Sequence, residues 1–172
     1  SYSIPPQAKQ FILLIVFINT AIAPALSALL LKRSGLIKDL QMDDPADRIF
    51  PLLITALFFF LTYYLLRQIT LPSLIYYFLI VATLLIILTL LITLRWKISI
   101  HMVSMGGLSG FLLVCMMLLK ADIFWLVILS LIVSGVAGTA RLLLRAHTPI
   151  QVYAGFLLGL GVMLFLFNLL KA

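Results

Sequence analysis

The chain has almost no cysteine and very little charge. Of 172 residues one is cysteine, and only 10% are Asp, Glu, Lys or Arg. With Cys115 alone, a disulfide within the chain is impossible and a thiolate metal site is excluded. Because 65% of the residues are apolar, so little charge also excludes a soluble domain of this size. Acidic residues are scarcer than basic ones, five against twelve, and imidazole is confined to His101 and His147. Basic arms, low-complexity tracts and long internal repeats are missing as well. The net charge of +7 is therefore read as Lys and Arg flanking membrane spans, and no nucleic-acid partner is expected.

What fills the chain is hydrocarbon. Apolar runs of about 20 residues recur along its length, each long enough to cross a bilayer as a helix. The expected fold is an all-α integral membrane protein. It forms a single transmembrane domain of six helices, at about 8–31, 50–68, 73–94, 99–119, 122–145 and 149–170. The first run is too long for a signal-peptide core and no small-residue cleavage site follows it, so it is read as a retained span. Leu71-Pro72-Ser73, Lys120-Ala121-Asp122 and Thr148-Pro149 mark three of the joints, and the longest hydrophilic stretch is Lys32 to Arg48.

Six crossings alternate sides. The 32–48 loop, the turn at Arg95–Ser99 and the turn at 141–148 then share one side, and with them Arg48, Lys97, His101, Arg141, Arg145 and His147. That side also carries more Lys and Arg, which favours the cytoplasm. Tyr63, Tyr64, Tyr76, Tyr77 and Trp125 fall near the other side, where an aromatic belt belongs.

Three helix N-termini on the polar side, at the second, fourth and sixth spans, present unpaired N–H groups and positive dipole ends. Added to arginines, they suit an anion, phosphate above all. One imidazole can attack phosphorus and another can protonate a leaving oxygen. The residues therefore point to phosphoryl chemistry on a membrane-embedded substrate.

The motifs in this cluster resemble those of the type 2 phosphatidic acid phosphatases, integral membrane lipid phosphatases with a six-helix core. Their third motif, S-R-x5-H-x3-D, is matched by Ala140-Arg141, five residues, His147, three residues and Gln151, followed by Val152 and Gly155. Their second, P-S-G-H, is matched by Ile98-Ser99-Ile100-His101. Their first, K-x6-R-P, leaves Arg48 as the arginine, Gln41 in the lysine slot and Pro51 two places late.

The resemblance implies hydrolysis of a lipid or polyprenyl phosphate with no metal or other cofactor. His147 would be the nucleophile that forms a phosphohistidine, and His101 the acid. Arg141, Arg48 and Ser99 would bind phosphate, and Gln151 would orient His147. A lipid phosphate and the surrounding membrane lipids would be the partners. A bacterial inner membrane is implied; family members commonly work on its outer face and the charge bias favours the cytoplasm, so the side of the site stays open. Gln151 stands where the family has an acid, and a comparable Asp→Asn change in a serine protease costs about 10⁴ in rate. A member that binds phospholipid or polyprenyl phosphate without turnover is the alternative.

Plainer roles compete for the same residues. Thr148-Pro149-Ile150-Gln151 fits a capping box. Arg141 and Arg145 suit a helix C-terminus and can snorkel, Ser99 suits an N-cap, and Arg95 and Lys97 beside Trp96 suit membrane anchors. Gly106 and Gly110, and Gly155 and Gly159, follow G-x-x-x-G, with Gly135 and Gly138 adding close contact. Together they predict a tight core of the last three helices or, as the rival use, a homodimer. Asp43-Asp44-Pro45-Ala46-Asp47 spells the D-D-x-x-D of Mg²⁺-dependent prenyltransferases, but a second acidic motif is lacking and Asp47 suits a helix cap. The midplane lacks the polar residues of a channel or transporter.

Overall fold

The computed structural model describes residues 6–42, 44–119 and 122–171, and among these every regular element is helical. The elements are α1 (Pro6–Phe17), a π-helical turn (Ile18–Ile22), α2 (Ala23–Arg33), a 3₁₀ turn (Pro45–Arg48), α3 (Ile49–Leu66), α4 (Ser73–Thr93), α5 (Ile100–Leu119), α6 (Phe124–Leu143) and α7 (Pro149–Lys171). Because α1, the π turn and α2 are continuous, they make one span, and the described residues hold six helical segments long and apolar enough to span a membrane. Large apolar side chains such as Leu13, Leu57, Trp125, Leu143 and Phe165 are exposed on them, as lipid permits and water does not. The protein is an all-helical integral membrane protein.

Boundaries move by a few residues from those expected. The second span begins earlier, at Pro45, through its 3₁₀ turn, and the fifth ends at Leu143 rather than 145. Lys120 and Ala121 of the expected tight turn lie outside the described residues, as does Asp43. The π turn sits just before Pro24, which has no N–H to give and whose ring crowds the preceding turn. One wide turn, closed by the Ala23 N–H on the Ile18 carbonyl, absorbs this without ending the helix.

The chain divides into two compact units, Ser1–Ile87 and Leu88–Ala172. In the first, Leu66, Leu71 and Leu79 are buried against Ile12, Phe59 and Tyr76, among others. The Tyr76 hydroxyl donates to the Ile69 carbonyl and accepts the Leu71 N–H at 2.9 Å, which fastens the turn before α4. The hydrophilic loop ties itself together. The Arg48 Nε donates to the Met42 carbonyl at 2.8 Å, the Lys38 N–H to Asp47 at 3.2 Å, and the Met42 N–H to Asp39 at 2.7 Å. Asp44, rather than Asp47, caps the following turn by accepting the Ala46 N–H at 3.0 Å. The reason is Pro45, which takes the first helical position and makes its predecessor the cap. Asp44 also pairs with the Lys38 Nζ at 2.8 Å.

In the second unit α5 and α7 run parallel with their backbones in contact. A Cβ on Gly106 would lie 2.0 Å from the Phe156 carbonyl oxygen, and one on Gly159 would lie 2.0 Å from that of Val103. Gly155 and Gly110 would collide likewise, with the Ser99 carbonyl and with Met163. Both G-x-x-x-G pairs are therefore used inside the chain, where packing and not hydrophobicity must hold helices in lipid. Gly135 differs from expectation: a Cβ there meets nothing within 4 Å. Between α5 and α6 the buried Ser109 and Ser130 hydroxyls bond at 3.1 Å.

Candidate phosphate site

Three helix ends meet in the second unit. The Ser99 N–H points to the Gln151 carbonyl at 3.4 Å, and a Cβ on Gly138 would touch Val152 and Met102, which joins the end of α6 to the starts of α5 and α7. The turn from α6 to α7 closes by a Schellman motif. The Ala146 N–H bonds the Arg141 carbonyl at 3.1 Å and the Arg145 N–H bonds that of Leu142 at 3.0 Å. Its left-handed position, normally glycine, is Arg145 at φ 52°.

The next helix starts with the capping box. The Gln151 N–H faces the Thr148 hydroxyl at 3.4 Å and the Gln151 Oε1 accepts the Thr148 N–H at 3.1 Å. The same Oε1 lies 3.1 Å from the His147 Nδ1. These contacts fix the imidazole. A backbone N–H can only donate, so the atom facing it is the amide oxygen and not the amide nitrogen. That oxygen can only accept, so the proton of the neutral ring sits on Nδ1 and the lone pair on Nε2. The capping role and the orienting role of Gln151 are thus one arrangement.

His147 and Gln151 line an open cleft of about 560 Å³, together with Lys97, Arg145, Leu142 and Thr148. Two cations stand on this wall, and Asp122 is the only acidic residue of the unit's sequence. Arg145 is exposed, and no ion pair holds it among the described residues.

The other expected site residues are placed differently. Arg141 is half-buried at the end of α6 and His101 is exposed in the first turn of α5, and neither lines the cleft. Ser99 is wholly buried beneath α7 and does not line the cleft. It precedes α5, but its hydroxyl finds no partner among the described residues, so it does not act as an N-cap. Arg48 belongs to the first unit, buried and bonded into its own loop.

Sequence reasoning put both residues in the polar cluster, with Lys97 as an anchor or a replacement for the missing cation and Arg145 as a helix-end cation, and the structure sets both on the cleft wall. A signal was present for Arg145. No glycine lies between Leu143 and Pro149, so a side-chain-bearing residue must take the left-handed position if α6 ends in this motif. The chain matches no family model, no curated protein and no solved structure.

Proposed function

We propose that the protein is a membrane lipid phosphatase whose nucleophile is His147. The observation that carries this reading is the Gln151 Oε1 held between the Thr148 N–H and the His147 Nδ1, beside a cleft that His147 lines together with Lys97 and Arg145. Lys97 and Arg145 would hold the phosphoryl oxygens of a lipid monophosphate or diphosphate, with the positive end of α7 alongside. His147 Nε2 forms a bond to phosphorus as the bond from phosphorus to the lipid oxygen breaks. The open cleft admits water, which gives the leaving oxygen its proton. Water then attacks the phosphohistidine, releasing phosphate and restoring the neutral ring. This account assigns the clamp to Lys97 and Arg145 instead of Arg141 and Arg48, and it needs no acid from His101.

One observation favours a second reading, binding without turnover. Gln151 offers the ring a hydrogen bond but no negative charge, so the imidazolium formed on attack gains little. The experiment that separates them is incubation of the purified chain with a long-chain alkyl phosphate in EDTA, quenching in base and mass analysis. A phosphoryl adduct on the peptide bearing His147, absent from His147→Ala, supports the phosphatase. Saturable binding with neither adduct nor released phosphate supports the binder.

A further inference from the structure

A second cavity, of about 350 Å³, opens along the seam of α6 and α7, and Leu142 borders both it and the cationic cleft. Its walls include Leu131, Gly135, Gly138 and Leu142 of α6, with Tyr153 and Phe156 of α7. From Leu131 to Leu142 the groove runs about 16 Å at the helical rise, close to half of a hydrocarbon core of about 30 Å. Gly135 keeps it open although nothing in the protein requires a glycine there, since a Cβ would meet nothing within 4 Å. Gly106, Gly110, Gly155 and Gly159 at the α5–α7 contact, by comparison, each face an opposing atom that a Cβ would strike.

We infer that this groove seats one hydrocarbon chain of a lipid whose anionic headgroup occupies the adjoining cleft. The inference rests on the phosphate reading of the cleft and adds the tail to it. The occupant is argued from two facts: the groove shares Leu142 with a cleft bearing Lys97 and Arg145, and both lie on a protein surrounded by lipid. A polar end at the interface and a largely apolar stripe reaching toward the midplane, in which the Ser134 and Thr139 hydroxyls donate to carbonyls of their own helix, match a single amphiphile. The groove is one seam wide, so it favours a single-chain or prenyl tail, with Gly135 setting the depth that tail can reach.

The test uses hexadecyl phosphate with a diazirine at mid-chain, in phosphatidylcholine vesicles holding the full chain. After photolysis the labelled residues are mapped. The expected result is label concentrated on Leu131–Leu142, Tyr153 and Phe156, and at least fivefold weaker in Gly135→Phe. Gly161→Phe, where a Cβ also meets nothing within 4 Å but which lies off the groove, retains it. The same probe with an uncharged hydroxyl head loses the concentration, a comparison that needs no variant. Label spread evenly over the lipid-facing helices, or unchanged in Gly135→Phe, overturns the inference. Phosphate release measured on the same samples separates the two readings. His147-dependent release with dispersed label sinks the groove alone, and concentrated label without release sinks the phosphatase alone.

Discussion

Two helices of this protein end in the same motif with opposite choices at its critical position. At the end of α2 the Leu36 N–H bonds the Leu31 carbonyl at 3.0 Å and the Gly35 N–H bonds that of Lys32 at 3.1 Å, with Gly35 at φ 75°. At the end of α6 the same pair of bonds forms around Arg145 at φ 52°. Glycine takes this conformation freely, while a residue with a Cβ is strained by about 1 kcal/mol. The chain after Gly35 folds back on its own carboxylates and carbonyls. The chain after Arg145 opens onto a cleft beside His147. The strained residue stands where its side chain lines a cleft, and the relaxed one where the chain folds back into its own loop.

The largest effect that sharpens this contrast belongs to the second end. His147→Ala should lower phosphate release by about 10³-fold or more while leaving the fold intact, as loss of a nucleophile does. Gln151→Glu should raise release by about tenfold, because a carboxylate of the same reach keeps the capping bond and adds charge beside the ring. No rise in a folded Gln151→Glu would show that position 151 is a cap alone.

The first end should answer in stability only. Gly35→Ala should cost about 1 kcal/mol, measured by denaturant titration, since a Cβ there meets nothing within 4 Å and only the backbone resists. The smallest effect concerns the Lys38–Asp44 pair. Its hydrogen bond to Asp44 raises the Lys38 pKa above 10.5, and the same bond, seen from Asp44, lowers that carboxyl below 3.8. The stabilisation is therefore full above the ordinary Asp value and lost as pH falls through the lowered one. It is likewise full below the ordinary Lys value and lost as pH rises through the raised one. Both groups are exposed, so stability should change little from this pair between those limits, and added salt should weaken it further.

Much of this was legible in the sequence, and the reasons are local. Six spans follow from apolar runs with breakers between them. The capping box follows from Thr148-Pro149 and Gln151, whose side chains need only their own turn. The G-x-x-x-G pairs announce a close helix contact, and the pairing of α5 with α7 satisfies it. What failed depends on distance through space. The place of Lys97 and Arg145 on one cleft depends on the start of α5 and the end of α6 lying beside the start of α7, which neither run of sequence records. Ser99 read as a cap because of its position, yet close packing against α7 turns its hydroxyl inward. Gly135 read as a contact glycine because spacing cannot tell a face that meets a helix from one that meets lipid. The bond from the Arg48 Nε to the Met42 carbonyl six residues back is another contact that the sequence does not announce.

The most direct measurement is Arg145→Gly with two readouts taken on one preparation: the unfolding midpoint, and the affinity for an alkyl phosphate. The account predicts opposite movements, stability rising by about 1 kcal/mol as strain is released and affinity falling several-fold as the cation is lost. Stability that rises with affinity unchanged would contradict it, because the arginine would then be tolerated at its turn and not used in the cleft.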